Sequence, residues 1–108
     1  MRPRTTVTLL QPQISESWDS GVPAPDWDQP PVEHPDTPAA IEPLSSAEQV
    51  LTADTVISRW RLFLEPGTGI TAQWRVRWLG IDHEVDGEIE VWQGRRPRVE
   101  CTLKRITR

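Results

Sequence analysis

Apolar and polar residues alternate with a period of two in most of the ordered-looking windows of this chain. In Thr6–Gln11, Val7 and Leu9 oppose Thr6, Thr8 and Leu10, which suits a strand with one buried face. Thr55–Glu65 is the clearest run. Val56, Trp60, Leu62 and Leu64 share one face; Arg59, Arg61 and Glu65 lie on the other. Ile57 and Phe63 fall on the charged face, so partial cover is expected there too. Trp74, Val76 and Trp78 alternate with Arg75, Arg77 and Leu79 until Gly80 breaks the run. Ile81, His83 and Val85 open the next strand. Ile89 and Val91 follow, with Glu88, Glu90 and Trp92 opposite. Val99, Cys101 and Leu103 then alternate with Arg98, Glu100, Thr102 and Lys104 to near Ile106.

The residues between these runs punctuate them. Pro66-Gly67-Thr68-Gly69 has the composition of a turn. Asp86-Gly87, flanked by alternating runs, predicts a hairpin. Gln93-Gly94-Arg95-Arg96-Pro97 is a second connection. Ala39–Leu44 suits a short strand, with Pro43 at an edge or bulge. Ser45–Leu51 suits a helical turn, capped by Ser45 or Ser46 with Glu48 near its first turn. About six strands with short turns are thus expected in the C-terminal half. The expectation is an all-β chain, a small antiparallel β-barrel (or sandwich) that buries one face of each strand. A length of 108 residues suits one domain with a modest core.

Proline and charge divide the chain. Seven of its eleven prolines fall between Gly21 and Pro43, so a helix or a central strand is disfavoured through Pro23–Pro38. The expected organisation is a first strand in 1–12, an extended proline-rich acidic loop in 13–38 and the rest of the barrel in 39–108. Between Thr5 and Ser58 there are nine acidic residues and no Lys or Arg. From Arg59 onward ten basic residues face seven acidic ones, within a total charge of −4. That division fits electrostatic contact between copies or with a partner, and equally a solvated acidic loop on a near-neutral domain. Trp18 and Trp27 lie inside the polar loop; they either dock on another molecule or pack back on their own domain.

Candidate chemistry is sparse. The two histidines, His34 and His83, have no paired ligand at helical spacing, and one cysteine builds no zinc set. Cys101 sits mid-strand on an apolar face and is expected to be a buried thiol rather than a nucleophile. Asp82, Glu84, Asp86, Glu88 and Glu90 alternate as solvent-facing positions do. Gly67-Thr68-Gly69 lacks the helix and lysine of a phosphate loop. No enzyme activity and no cofactor are expected. The longest apolar runs are too short to cross a membrane, and the apolar segment near Val7 is too short and polar for a signal-peptide core. With no internal disulfide framework available, a soluble intracellular protein is the plain expectation. Arg95, Arg96, Arg98, Lys104, Arg105 and Arg108 admit a nucleic-acid-binding barrel, although the local excess of positive charge is small.

The stretch Trp60 to Arg108 resembles the head-to-tail stopper, or head-closure, proteins of long-tailed bacteriophages. The resemblance is carried by Leu64-Glu65-Pro66-Gly67-Thr68-Gly69-Ile70-Thr71, Trp74-Arg75-Val76-Arg77-Trp78-Leu79-Gly80, Glu84-Val85-Asp86-Gly87-Glu88, Trp92, and Val99-Glu100-Cys101-Thr102-Leu103-Lys104-Arg105. Arg4 to Pro12 is similar to the family's opening strand. What the resemblance implies is a structural virion protein: a small β-barrel with a long inserted loop. Copies of it form a ring, a hexamer by family analogy, below portal and adaptor rings. The ring closes the DNA channel after packaging, and the tail terminator docks beneath it. Double-stranded DNA passes through without sequence-specific contact. The protein would assemble in the host cytoplasm and reside at the head–tail interface, with no membrane involved.

On that implication, Ser15–Pro38 is the expected gating or docking element. Its acids Glu16, Asp19, Asp26, Asp28, Glu33 and Asp36 would repel DNA phosphate, and Trp18 and Trp27 would anchor it. Candidate ring contacts are the turn at Pro66 and Gly67, the tip at Asp86 and Gly87, and Arg95, Arg96 and Arg98. The alternatives are a stand-alone nucleic-acid-binding barrel and another connector component such as a tail terminator.

Overall fold

In a computed structural model the chain is described over residues 4–16, 21–44, 49–52 and 55–107. All regular structure there is strand: β1 Arg4–Gln11, β2 Gln13–Glu16, β3 Pro23–Asp26, β4 Val32–Pro43, β5 Gln49–Thr52, β6 Thr55–Leu64, β7 Arg75–Trp78, β8 Ile81–Trp92 and β9 Arg98–Thr107. One antiparallel sheet runs β4-β1-β7-β8-β9-β6-β5, and β4 also pairs with β6. That second pairing closes β4, β1, β7, β8, β9 and β6 into a six-stranded barrel, with β5 outside it. No helix among the described residues is long and apolar enough to cross a membrane.

Closure rests on the length of β4. Its first part pairs with β1, from Gln11↔Val32 to Arg4↔Ala40. Its last part pairs with β6, from Ala39↔Leu64 to Pro43↔Trp60. The register can be followed round the barrel from Glu33 through Leu10, Arg75, Glu84, Lys104 and Arg59. It returns not at Glu33 but at Leu44, the residue just after β4, whose N–H donates to the Arg59 carbonyl. This stagger is the shear that any closed barrel with tilted strands must have.

The period-two pattern places the core. Leu62, Cys101 and Leu103 are fully buried, and Val7, Leu9, Ile41, Leu64, Val76 and Val99 join them, with Ile70 of the connection before β7. Burying each large aliphatic side chain contributes about 1.5–3 kcal/mol. Phe63 is also buried, so the charged face of β6 is partly covered as expected. The expected strands in Thr6–Gln11, Thr55–Glu65, Trp74–Leu79 and Val99–Ile106 all form.

Four expectations are corrected. The barrel does not draw its six strands from the C-terminal half, because β1 and β4 belong to the N-terminal half. The proline-rich stretch is not extended loop as far as Pro38, since Val32–Pro38 is barrel strand. Proline is tolerated there because Val32–Pro38 is paired on one side only, so no ladder bond is lost on the open side. The register also slips between Val7 and Leu9, where Pro35 and Asp36 of β4 oppose Thr8 alone; within this bulge Asp36 takes a φ of 54°. Gln49–Leu51 is strand and pairs with β6 rather than forming a helical turn; 45–48 lie outside the described residues. Finally, Asp86-Gly87 is not a hairpin tip. It lies inside β8 at a wide bulge, where the register passes from Asp86↔Thr102 to Glu90↔Glu100. The φ of 91° at Gly87 serves that bulge. The tight hairpin is instead Leu79-Gly80, between the paired Trp78 and Ile81, with φ of 54° and 75°. Two positive φ values mark a turn of type I′, which favours Asn-Gly.

One inward position is polar. His83 is 2% exposed, with its ring 5.0 Å from that of Trp60 and 5.9 Å from that of Trp78. The Arg105 guanidinium lies 5.5 Å from the Trp60 ring. Burial lowers the His83 pKa and Arg105 adds to the effect, against the backbone carbonyls of Val76 and Ile81 and the charge of Asp82. Nδ1 of His83 has no hydrogen-bond partner.

Two measurements check this account. Leu79 pays the left-handed penalty that Asn largely escapes, so Leu79→Asn should raise unfolding free energy by about 1 kcal/mol in urea titration. For His83 the unfolded chain takes up its proton first, near 6.5, while the folded chain resists it. Stability should therefore be flat above neutrality and fall as pH drops below about 6.5, by at most about 1.4 kcal/mol per pH unit. His83→Leu should remove that slope in the same range.

Candidate functional site

The segment 12–31, between paired Gln11 and Val32, leaves the barrel wall as a separate arm. Its strands β2 and β3 form their own two-stranded sheet, from Gln13↔Asp26 to Glu16↔Pro23. The sequence stiffens it, because Pro23, Pro25, Pro30 and Pro31 restrict φ along the returning half. Side chains complete the arm. The Ser15 hydroxyl donates to Asp26 Oδ2 at 2.9 Å, and Gln29 Nε2 donates to the same oxygen at 2.8 Å and to Ser15 Oγ at 2.9 Å. The Asp28 N–H donates to Asp26 Oδ1 at 3.0 Å, and Gln13 Nε2 reaches the Pro30 carbonyl at 3.3 Å. Gln29, Ser15 and the Asp28 N–H together hold the Asp26 carboxyl below its usual value, so the arm's central charge persists into acid.

Trp27 fastens the arm. Its ring lies 4.1 Å from the Arg75 guanidinium carbon, a cation–π contact between the arm's turn and the outer face of β7. Beneath them is a shallow pocket of about 150 Å³, lined by Trp27, Ala72, Gln73, Trp74, Arg75, Glu84 and Val85. Trp27 therefore packs back on its own domain, the second of the two roles open to it from sequence. Trp18 and Asp19 lie outside the described residues. Glu16 and Asp28 are exposed on the arm.

Glu33 and Asp36 are not on the arm at all. Both belong to β4, and Glu33 Oε1 accepts from Arg77 Nη1 at 3.0 Å, across β1. His34, also on β4, stacks on Trp74 with ring centres 5.4 Å apart and planes 7° apart.

The outer face of β6, β8 and β9 is a network of ion pairs that periodicity alone did not show. Arg59 Nε meets Asp86 Oδ2 at 2.9 Å. Arg61 binds Glu90 at 2.8 Å, Glu100 at 3.2 Å and the Thr102 hydroxyl at 3.0 Å. Arg98 pairs with Glu100 and donates to the Arg96 carbonyl at 3.0 Å, with its guanidinium 4.8 Å from the Trp92 ring. Arg77 adds Asp82 at 2.9 Å. Two of the alternating acids of β8, Asp86 and Glu90, are thus matched to arginines two strands away, and Asp82 to one on the adjacent β7. The available signal was the shared parity of Arg59 and Arg61 on β6, but the pairing of strands was needed to use it.

The predicted ring contacts fare unequally. Asp86 and Arg98 are engaged within the chain, and Gly87 is in the β8 bulge. Pro66 and Gly67 form an exposed turn, closed by the Thr68 hydroxyl donating to the Glu65 carbonyl at 2.7 Å. Arg95 and Arg96 are exposed on the β8–β9 connection. Cys101 is fully buried, and burial pushes its thiol pKa up to about 11, so it is protonated at neutral pH. Among the described residues no group of three or more His, Cys, Asp or Glu is arranged to hold a metal ion. No protein-family model matches the chain, and no curated protein is significantly similar to it.

Because Gln11 and Val32 are direct partners, the arm can be excised without stretching the barrel. Replacing 12–31 by Asn-Gly should leave the strand signal in circular dichroism and a single cooperative unfolding transition. A deletion that extends to Pro35 should instead lose the transition, because it removes part of β4.

Proposed function

We propose that this chain is the ring-forming stopper of a phage head–tail connector. In this reading copies assemble below the portal and adaptor rings, close the DNA channel after packaging and offer the surface on which the tail terminator docks. The observation that carries the proposal is the arm: a separately hydrogen-bonded acidic projection with no Lys or Arg in its sequence, whose Trp27 makes a cation–π contact with Arg75 of a filled barrel. A filled barrel has no lumen for a duplex, so the channel would be the ring's, and the arm is the part long enough to enter it. The radius of gyration, 15.1 Å, exceeds the roughly 13 Å of a compact domain of this length, as projecting parts require. Carboxylates facing DNA would repel phosphate and let the duplex slide without sticking. The resemblance of Trp60–Arg108 to stopper proteins supports the same assignment.

A second reading, a barrel that binds single-stranded nucleic acid, is favoured by Trp92 beside Arg95 and Arg96. Steeply salt-dependent binding by the isolated protein would select it.

Electron microscopy of particles made when the gene is disrupted tests the first reading. Empty or leaking heads without tails, beside complete free tails, are expected. Normal tailed, DNA-filled particles would overturn it. Particles carrying the Asn-Gly replacement of the arm should show the same defect, and sealed, tailed particles would remove the arm from closure and docking.

A further inference from the structure

Two places among the described residues bring exposed apolar residues together with charges that form no ion pair within the chain. Seven large hydrophobic residues are exposed among the described ones, and Ile14, Val22, Val91 and Trp92 are four of them. Ile14 and Val22 are on the arm, 57% and 59% exposed, with Glu16, Asp26 and Asp28 around them. Val91 and Trp92 end β8, 64% and 47% exposed, immediately before Arg95 and Arg96. The arginines nearby on β6 and β9 are already committed: Arg59, Arg61 and Arg98 each meet a carboxylate of their own chain. Among the described residues Arg95 and Arg96 form no ion pair. The tip therefore combines the exposed Trp92 ring with positive charge that forms no ion pair, and the arm combines Ile14 and Val22 with carboxylates that form none among the described residues.

From this complementarity we infer that the arm of one copy docks on the β8–β9 tip of the next. Ile14 and Val22 cover Trp92, on the outer face of β8, while Glu16 and Asp28 face Arg95 and Arg96. The inference rests on the ring reading and names its contact. Arm and tip are different surfaces of one chain, so the contact is heterologous and repeats from copy to copy, as a closed ring demands. A second copy suits the tip better than a duplex does. The tip offers few free cations for phosphate, whereas the exposed Trp92 ring needs an apolar counterpart that the arm supplies.

Sedimentation velocity of the full-length protein at low and high salt tests the contact. The wild type should self-associate, less at high salt. The pair Arg95→Glu with Arg96→Glu should weaken association by about a hundredfold, as should Glu16→Arg with Asp28→Arg, because each reversal opposes like charges. All four substitutions together should restore it. These side chains are exposed, and unchanged unfolding curves would show that each variant is folded. Association unaffected by either reversal overturns the contact, as does a wild type that stays monomeric at low salt. Loss of duplex binding in the Arg95→Glu, Arg96→Glu variant, with association intact, reassigns the tip to nucleic acid and also overturns it. Failure here with the disruption defect present removes this contact alone; normal particles on disruption remove the ring reading itself.

Discussion

Closure of the sheet is the constraint on which the rest of this structure depends. A short sheet of this length leaves two edges that pair with whatever strand they meet. Here one long strand, β4, serves both edges, bonding to β1 through its first part and to β6 through its last. The inward faces of the barrel strands then converge on one core, which a modest set of aliphatic side chains fills with Trp60, Trp74 and Trp78 packed against it. The prolines of β4 sit where only one neighbour pairs, so the demand for closure and the shortage of donors do not collide.

Closure also decides how charge is used. Once β6, β9 and β8 are adjacent, the arginines of β6 stand over the carboxylates of β8 and β9, and Glu100 is held between Arg61 and Arg98. The exposed pairs of Arg77 contribute little stability, whereas Glu100 is buried and its charge depends on both arginines. The larger effect of the ion pairs is to neutralise much of the outer face of β6, β8 and β9, while the acids of the arm and Arg95 and Arg96 of the β8–β9 tip form no ion pair among the described residues. A chain with only a small net charge thereby acquires two strongly contrasting surfaces.

The division between barrel and arm gives the proposed role a physical form. The barrel is a packed unit without an open interior, and the arm is a stiff, separately bonded sheet that joins it at paired residues. Such an arm moves or docks as one body, with Trp27 on Arg75 as its hold on the barrel. A cation–π contact of about 0.5–1 kcal/mol at an exposed site is weak enough to be exchanged for contacts with a partner.

Most strands of the barrel and its all-β class were legible from the chain, because a period of two names the buried face along most of each run, although Leu10 and Phe63 are buried from the polar side and Ile81 and Val91 are exposed. So were the buried thiol, the turn at Pro66-Gly67 and the acidic character of the inserted segment. What could not be read was anything that depends on which strands become neighbours. Asp86-Gly87 carries the local signature of a hairpin, yet the same positive φ serves a bulge once β8 runs on against β9. Val32–Pro38 carries the signature of a loop, yet one-sided pairing makes it a strand, and this moved Glu33 and Asp36 from the arm to the barrel wall. Local sequence determined the direction of each side chain within its strand, through backbone stereochemistry. Tertiary structure alone decided register, edge and partner, because those follow from closing the sheet, a condition that no short window of sequence contains.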